Sequence, residues 1–575
     1  MEGSIILCVL NAKHVHASPA PWCLAAGVKA YQPALYDQVK VVEATINESP
    51  NDIFTRIIET TPSIIGFSCY LWNIQMTLAL CTELKKALPD LIIVLGGPEV
   101  SYCAYDVLER HAQIDYILAG EGETSFPAFA AAILSQNDAQ PLQEDARNTI
   151  AGLCGHRHDG SIYTSEECVL NENVPSPMDA GYAEAIQKRI AYIETSRGCP
   201  YSCAFCLSGR CGSPRFFPLE SVFKDLIRIA NSGARTIKFV DRTFNANAVH
   251  ANKILQFILD HYGDELPSGT CFHFEIAGDI LREETFVLLE KMPVGAVQLE
   301  IGMQSFCEKT LEAVKRKTNT TILKANIRRL MAMNNMHIHI DLIVGLPYED
   351  MTIFSDSFNT AYALKAQMLQ VGFLKLLHGS AMRSEPQNYP CEYSANPPYE
   401  VTSTPWISNN EFRILHYFED MVDRIYNSGR FRHTAQYALS AAKLTPFDLY
   451  MSLGHGAYGA KVGSGISLDE FTIFLKRHLL ALDGIEEDHL RDALVRDRLS
   501  TNAGRLPPSL VIKDGLLSNA KRKLAKSNPL GEDVRRGVAL LYGAKTLCWV
   551  DHHPLTRNPI TNSWLINEVA IDSFI

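Results

Sequence analysis

The chain has 575 residues, of which 47% are hydrophobic, and a formal net charge of −11. This length allows about three or four domains, and the composition supports large apolar cores rather than a disordered chain. The acidic balance argues against a protein that coats nucleic acid, because neutralising phosphates needs a basic surface.

The N-terminal residues MEGSIILCVLNAKHVHASP contain a short apolar run with no basic stretch before it and no small-residue cleavage site. They predict a buried first strand rather than a signal peptide. No apolar run reaches the length of a membrane span. The 15 cysteines are an odd number scattered through an ordinary globular composition. We therefore expect free thiols in a reducing cytoplasm and no disulfide framework.

Residues 1–136 alternate short apolar runs with helical patterns, which predicts an α/β domain with a Rossmann-like, doubly wound parallel sheet. The predicted strands are 4–10, 39–44, 63–70, 91–100 and 114–123. Such sheets bind ligands at the carboxyl ends of their strands. The strand ends at 11–13, 68–70, 96–99 and 120–123 are rich in glycine and small polar residues. They are candidate ligand contacts, although tight turns that bind nothing explain them equally well.

Residues 137–188 are polar and irregular, which predicts a linker with a small hairpin. A second strand and helix series fills residues 189–385, with predicted strands at 189–196, 235–241, 270–276, 296–302, 337–345 and 368–375. Six strands are too few for a complete eight-fold barrel, so we expect a partial (β/α)6 barrel. Residues 386–575 predict a mostly helical C-terminal domain without a further strand series.

The first barrel strand leads directly into CPYSCAFC at 199–206, on the kind of loop that carries active sites in barrels. Three thiolates are compatible with two kinds of metal site. A zinc site would recruit Cys211 or a histidine as its fourth ligand. A [4Fe–4S] cluster would leave one iron open to a substrate or cofactor.

Polar residues at the other barrel strand ends favour a catalytic cluster in a large cavity. Carboxylate and amide groups there suit a ligand with ribose hydroxyls and an amino group, although salt-bridged barrel residues are the alternative. These residues are Asp241, Arg242, Asn245, Glu275, Glu300, Gln304 and Asp341.

CPYSCAFC resembles the cysteine motif of the radical S-adenosylmethionine (SAM) superfamily. FVDRTFN (239–245), LEIGMQSF (299–306) and DLIVGLPYE (341–349) resemble later motifs of the branch that includes coproporphyrinogen dehydrogenase and cobalamin-dependent enzymes. The resemblance spans 189–378. It implies that Cys199, Cys203 and Cys206 ligate a [4Fe–4S] cluster whose fourth iron is chelated by SAM, with Cys211 a spectator. The implied SAM contacts are Phe205, Asp241, Glu275, Gln304, Arg316 and Asp341.

The N-terminal stretches GFSCYLWN (66–73), LGGPE (95–99) and GEGE (120–123) resemble the cobalamin-binding domain of B12-dependent radical SAM enzymes. Residues 1–190 contain no DxHxxG motif, so we expect no histidine ligand to cobalt from that motif. His14 and His16 are interpreted as loop or substrate-side residues. The implied cobalamin contacts are Asn11, Ser68, Tyr70, Trp72, Gly96, Gly97, Pro98, Gly120, Glu121 and Gly122.

The segment LQVGFLKLLHGSAMR (369–383) resembles a B12-binding radical SAM subgroup with an uncharacterised helical C-terminal domain. We expect that domain to form a lid over the barrel mouth.

The resemblance implies a methyltransferase that uses methylcobalamin and a 5′-deoxyadenosyl radical on an unactivated carbon or on phosphorus. The alternatives are a cobalamin enzyme that catalyses a rearrangement, cyclisation or oxidation, and a corrinoid and iron–sulfur sensor. The expected partners are a small-molecule, peptide or lipid-headgroup substrate and an electron donor such as flavodoxin or ferredoxin.

Overall fold

The computed structural model describes residues 4–135, 142–170, 174–210, 212–463, 465–512, 515–531 and 534–573. The chain divides into two compact units. The first unit comprises Met1–Lys291, Val314–Lys317 and Lys375–Val401, and the second unit comprises Met292–Ala313, Thr318–Leu374 and Thr402–Ile575.

The N-terminal part of the first unit is built on a seven-stranded sheet. Its strands are β1 (Ser4–Asn11), β2 (Val39–Thr45), β3 (Pro62–Ser68), β4 (Ile92–Gly96), β5 (Tyr116–Leu118), β6 (Leu153–His156) and β7 (Ile162–Tyr163). The accompanying helices are α1 (Ala20–Tyr31), α2 (Pro50–Ile58), α3 (Ile74–Ala87), α4 (Pro98–Ser101), α5 (Ala104–Arg110), α6 (Gly122–Leu134) and α7 (Glu144–Thr149).

The strand order is β2-β1-β3-β4-β5-β6-β7, and the first five strands pair in parallel. The direction of the connections reverses between β1 and β3, which is where doubly wound sheets bind ligands. The hairpin predicted in the linker is β6 and β7. It extends this sheet, because β6 pairs antiparallel with β5.

The apolar runs are continuous because this sheet is covered on both faces. Along β1, Ile6, Cys8 and Leu10 enter the core formed with α2, α3 and α5. The alternate residues Ile5 and Leu7 enter the other core, formed with α1 and α6.

The first unit also contains the beginning of the predicted barrel. Its strands are β8 (Ile190–Ile193), β9 (Ser196–Arg197), β10 (Arg215–Phe216), β11 (Thr236–Phe239) and β12 (Cys271–Ile276), and its helices are α8 (Tyr182–Ala185), α9 (Leu219–Ala230), α10 (Ala248–His261) and α11 (Glu283–Lys291). Strands β8, β11 and β12 pair in parallel, with β11 in the middle.

The second unit contains the other three predicted barrel strands, which also pair in parallel. They are β13 (Val297–Gln304), β14 (His337–Val344) and β15 (Met368–Phe373), accompanied by α12 (Glu308–Ala313), α13 (Thr320–Met333) and α14 (Met351–Tyr362). The connecting region that follows belongs mostly to the first unit and contains α15 (Ala381–Ser384), β16 (Glu392–Tyr393) and β17 (Val401–Ser403).

The C-terminal region is mostly helical, as expected. Its helices are α16 (Asn409–Met421), α17 (Arg432–Ala442), α18 (Pro446–Ala460), α19 (Leu468–Leu480), α20 (Glu487–Thr501) and α21 (Gly515–Ser527), with a π-helical turn at Val422–Asn427. Aromatic residues of α14, α16 and α18 pack edge-to-face in its core; they include Phe358, Phe418 and Tyr450.

One element of the C-terminal region was not expected from the sequence. Strands β18 (Arg535–Leu541), β19 (Thr546–His552) and β20 (Asn567–Ala570) form an antiparallel sheet. Helix α21 covers it, with Ala520 and Leu524 packed against Leu540 and Leu547. The prediction that no strand series follows residue 400 is therefore wrong for this segment. Within the described residues, no helix combines the length and hydropathy that crossing a bilayer requires.

A buried asparagine joins the ends of β1 and β3 at the switch point of the sheet. The Asn73 side chain is fully buried and donates from Nδ2 to the carbonyl oxygens of Leu10, at 3.1 Å, and Ser68, at 2.9 Å. Its Oδ1 accepts from the Tyr70 amide at 2.8 Å. This one side chain therefore shapes the loop that carries Tyr70 and Trp72.

We expect Asn73→Ala to destabilise the protein by about 3 kcal/mol, because it removes three hydrogen bonds from a buried loop. Urea unfolding followed by tryptophan fluorescence measures the change. The matched control is Asn51→Ala, at an exposed position of α2, which should stay within about 0.5 kcal/mol of the parent. Equal unfolding midpoints for the two variants would contradict this role for Asn73.

Candidate functional site

A cavity of about 600 Å³ opens at the carboxyl ends of the N-terminal strands, within the first unit. Nine of the ten residues predicted to contact cobalamin line it: Asn11, Ser68, Tyr70, Trp72, Gly96, Gly97, Gly120, Glu121 and Gly122. The tenth, Pro98, begins α4 and is not among the lining residues. The structure thus gathers residues from four strand ends around one space.

Two aromatic rings form a flat surface in this cavity. The rings of Tyr70 and Trp72 stack with centroids 4.6 Å apart and an interplanar angle of 3°. The Trp72 indole nitrogen donates to the Leu10 carbonyl at 3.1 Å, which fixes the ring although the residue is 47% exposed. An exposed, immobilised aromatic surface suits contact with a large planar ligand.

The cavity continues into an apolar recess between the sheet and helices α1 and α6. The recess is lined by Leu24, Val94, Leu118 and Phe126, and by Gly66 of the sheet. A Cβ at Gly66 would lie 3.3 Å from a methyl carbon of Leu7 and 3.4 Å from the Phe126 ring. A side chain at position 66 would therefore press on the apolar lining of the recess.

Asn11 supplies a buried donor at the cavity wall. Its Oδ1 accepts from the Ser18 amide at 3.2 Å, whereas its Nδ2 has no hydrogen-bond partner among the described residues. The residue is only 3% exposed. A buried donor of this kind needs a partner, and a ligand in the cavity would provide one.

The glycines at the strand ends are required by contacts between loops. Gly97 has a φ of +102°, and a Cβ there would lie 2.6 Å from the Cys69 carbonyl oxygen. Gly120 has a φ of +91°, and a Cβ there would lie 2.4 Å from the Cys168 carbonyl oxygen. Neighbouring backbone therefore accounts for glycine at these two positions, and their contact with cobalamin stays a prediction.

The glutamate of the LGGPE stretch anchors its loop. Glu99 is 6% exposed, and its carboxyl group accepts a hydrogen bond from the Tyr399 hydroxyl group. Burial raises the pKa of Glu99, while this hydrogen bond and the Arg383 guanidinium act in the opposite direction. Tyr399 lies 300 residues away in sequence, so no local pattern could have revealed this pair.

Residues of the barrel strands complete the cavity, and sequence reasoning missed most of them. Tyr192, Glu194 and Arg197 line it, together with Arg242. The Tyr192 hydroxyl group is 2.6 Å from Nδ1 of His16, which also lines the cavity. Burial and the charges of Lys238, Lys13 and Arg189 lower the pKa of His16. The alternation of apolar and polar residues in IAYIET (190–195) could have shown that Tyr192 and Glu194 lie on the same face of the strand.

The three motif cysteines lie on the loop that follows β9. Cys203 is buried, and Nη1 of Arg316 donates to its Sγ at 3.7 Å. Sγ of Cys199 is 3.5 Å from the Thr243 hydroxyl group. Burial raises the pKa of Cys203, and the Arg316 cation opposes that shift. Cys206 is half-buried, and Cys211 lies outside the described residues.

The remaining residues predicted to bind SAM are divided between the units. Phe205, Asp241, Glu275 and Arg316 belong to the first unit, and Gln304 and Asp341 to the second. Asp241 is almost fully buried and accepts from the Thr195 amide at 3.2 Å and from the Thr195 hydroxyl group at 2.7 Å. Burial raises the pKa of Asp241 to about 6. Its carboxyl group thus shapes the turn that leads into the cysteine loop.

In the second unit, Asp341 takes part in a row of three titratable side chains. Nε2 of His339 is 2.9 Å from Oδ1 of Asp341, and Nδ1 is 3.6 Å from Oε2 of Glu300. Gln304 ends β13 with a φ of +68°, next to an irregularity in its pairing with β14. Two of the polar residues predicted at these strand ends, Glu300 and Asp341, therefore interact through His339.

Three family models match separate parts of the chain. The B12 binding domain matches residues 9–130, and the Radical SAM superfamily matches residues 193–360. A family described as a protein of unknown function (DUF4080) matches residues 387–530. The chain therefore combines a B12-binding domain with a radical SAM domain. This confirms the class of protein predicted from the motifs, together with its cofactors: cobalamin, SAM and a [4Fe–4S] cluster.

Two curated relatives illustrate the similarity. The 2-(S-pantetheinyl)-carbapenam-3-carboxylate methyltransferase of Streptantibioticus cattleyicolor is 25% identical over 328 residues, covering 52% of this chain and 45% of the relative. The anaerobic magnesium-protoporphyrin IX monomethyl ester cyclase of Synechocystis sp. is 26% identical over 307 residues, covering 49% and 56%. The chain thus spans about half the length of these relatives.

A solved structure extends the similarity over most of the chain. The cobalamin-dependent S-adenosylmethionine radical enzyme OxsB, with aqua-cobalamin and S-adenosylmethionine bound, matches with a TM-score of 0.58 and 15% identity. The match covers 92% of this chain and 82% of that chain. At this identity the likeness concerns the fold, and it confirms the predicted fold class.

Replacing Gly97 with alanine tests whether the strand-end loops shape a cobalamin site. The new Cβ would collide with the Cys69 carbonyl and strain a positive φ, so we expect cobalamin affinity to fall about tenfold. Titration with hydroxocobalamin, followed by visible absorbance, measures this. The control is Gly233→Ala, where φ is +91° but no atom lies within 4 Å of the new Cβ. An equal loss in both variants would point to general strain instead.

Proposed function

We propose that this protein is a cobalamin-dependent radical SAM methyltransferase acting on an unactivated carbon or on phosphorus. One observation carries the proposal. The cavity at the ends of the N-terminal strands is also lined by Tyr192 and Glu194, at the end of the barrel strand that precedes the cysteine loop. Both domains therefore face one reaction space inside the first unit.

The cavity residues fit cobalamin by shape and by chemistry. Asn11 offers an unpartnered amide donor, the Tyr70 and Trp72 rings offer a flat wall, and the apolar recess beyond Gly66 receives an aromatic substituent. Cobalamin bound there would supply a carrier for the methyl group.

The cysteine loop fits an iron–sulfur cluster. Cys199, Cys203 and Cys206 are free thiols on one short loop, and the Arg316 cation beside Cys203 favours a negatively charged group there. The cluster with SAM would supply a 5′-deoxyadenosyl radical. The chain's own task is to orient the substrate and to exclude water from the space between the two domains.

Residues at the barrel side of the cavity are suited to hold the substrate. Arg242 lines the cavity as an exposed cation, and His16 and Tyr192 share a hydrogen bond at its wall. These groups favour a substrate with an anionic or hydroxyl group near the reacting atom. A small metabolite, a peptide or a lipid headgroup meets this requirement, and flavodoxin or ferredoxin would supply electrons.

The cyclase relative supports a second candidate function. The Synechocystis cyclase shows similarity comparable to that of the carbapenam methyltransferase. A cobalamin enzyme that forms a ring without moving a methyl group would use the same motifs. The sensor hypothesis has no relative of this kind among those described and leaves the predicted SAM contacts without a role.

An assay without substrate distinguishes these functions. The protein is purified without oxygen, supplied with iron, sulfide and hydroxocobalamin, and then given SAM and a strong reductant. Formation of S-adenosylhomocysteine, measured by mass spectrometry, is expected and supports methyl transfer from SAM. Formation of 5′-deoxyadenosine alone would favour the cyclase-type function. Neither product from protein with an intact cluster would favour the sensor.

We expect Cys203→Ala to abolish iron binding and the formation of 5′-deoxyadenosine while cobalamin is still bound, because the cobalamin contacts lie on other loops. Iron analysis and visible absorbance of the reconstituted protein measure the two effects. Cys391→Ala is the control, since Cys391 is a half-buried free thiol of the first unit outside the cysteine motif. Retained iron and 5′-deoxyadenosine formation in Cys203→Ala would overturn the cluster assignment.

A further inference from the structure

A single arginine contacts three glutamates at the wall of the cavity. Arg197 ends β9, two residues before Cys199, and its side chain is 14% exposed. Its guanidinium lies 2.6 Å from Glu123, 2.7 Å from Glu194 and 3.3 Å from Glu121.

The three glutamates come from two different parts of the first unit. Glu121 and Glu123 belong to the GEGE stretch, which leads from β5 into α6 in the B12-binding domain. Glu194 directly follows β8 in the radical SAM domain. Arg197 therefore joins a loop of the cobalamin cavity to the start of the cysteine loop.

A second arginine balances part of the charge. Arg215 on β10 pairs with Glu121, and the amide of Leu170 donates to the same carboxylate at 2.9 Å. Three carboxylates thus share two guanidinium groups. Burial alone would lower the pKa of Arg197, but the charges of Glu194 and Glu123 outweigh burial and raise it. Glu121, held by Arg215, keeps a pKa below its usual value although burial opposes this.

Because three carboxylates share two guanidinium groups, replacing Arg197 would leave buried negative charge without a partner. Glu123 is only 4% exposed, so water cannot solvate its charge once the guanidinium is removed. Without Arg197, Glu123 and Glu194 would repel each other, and the GEGE loop would lose its ionic contact with the cysteine loop.

We propose that Arg197 is a positioning residue that fixes the GEGE loop of the cobalamin cavity against the loop carrying the cluster cysteines. The spacing of the two cofactor sites then depends on the charge balance of this group. The inference rests on the proposed function for its consequence in catalysis. The contact itself is a property of the protein without cofactors and is tested there first.

The first experiment uses the full chain without cofactors. Hydrogen exchange, followed by mass spectrometry, compares Arg197→Gln with the parent over residues 119–124. We expect exchange in Arg197→Gln to be about tenfold faster there. The control is Arg228→Gln, which removes another arginine paired with two carboxylates, Asp179 and Asp225, in the same unit. Unchanged exchange at 119–124 in a folded Arg197→Gln protein would overturn the proposal.

The double variant Arg197→Gln with Glu123→Gln separates charge balance from general damage. It removes one positive and one negative charge, so two carboxylates remain with Arg215. We expect exchange at 119–124 to return to within about threefold of the parent. A double variant that exchanges as fast as Arg197→Gln would contradict the electrostatic role. If Arg197→Gln does not fold, the double variant replaces it in the test. We then expect the double variant to be soluble and to exchange slowly at residues 119–124.

The second experiment adds hydroxocobalamin. We expect Arg197→Gln to bind cobalamin about tenfold more weakly than the parent, because its GEGE loop is no longer held against the cysteine loop. The double variant Arg197→Gln with Glu123→Gln should recover most of that affinity. Unchanged affinity in a folded Arg197→Gln protein would contradict the positioning role.

These results separate the inference from the proposed function. A parent protein that binds no cobalamin would overturn the proposed function, while the hydrogen-exchange comparison would still decide the role of Arg197. Normal cobalamin binding with unchanged exchange in the variant would overturn the inference alone.

Discussion

The cavity exists because the loops at the carboxyl edge of the N-terminal sheet hydrogen-bond to one another. The Cys69 amide donates to the Gly96 carbonyl at 2.7 Å, and the Glu121 amide donates to the Cys168 carbonyl at 2.9 Å. Each loop thus satisfies backbone groups that the ends of β3, β4 and β5 leave unpaired. Close contact between loops fixes their positions, and the space between them becomes a preformed binding site.

The glutamates of the strand-end stretches are held in place by other side chains of the first unit. Glu99 is held by Tyr399, and Glu121 and Glu123 are held by arginines. A carboxylate already engaged by a cation or hydroxyl group has less capacity left for a ligand. The groups available to a cofactor are instead the Asn11 amide, the aromatic rings and the apolar recess. The cavity therefore recognises a large ligand mainly by shape and apolar contact.

The sequence was sufficient to predict the parallel strands and the cavity residues at their carboxyl ends, for a physical reason. A strand buried on both faces is a continuous apolar run, and the residues at its carboxyl end must lie at the ligand-binding edge. Contacts between distant segments could not be predicted in this way. The Tyr399 contact with Glu99 and the Arg197 contact with Glu123 join residues that no local periodicity relates. The C-terminal sheet was missed because the helical pattern that precedes it was extended to the end of the chain, past β18 and β19, which have seven residues each.

The same reasoning explains why the strand-end glycines could be located but not explained from the sequence. A glycine at a strand end predicts a close approach without saying what approaches. At Gly97 and Gly120 the neighbour is backbone, from the loops at Cys69 and Cys168. A side chain at either position would separate two loops rather than fill the cavity. The strand-end glycines therefore allow the loops to lie close together, and the position of these loops is the property that we propose Arg197 controls on the barrel side.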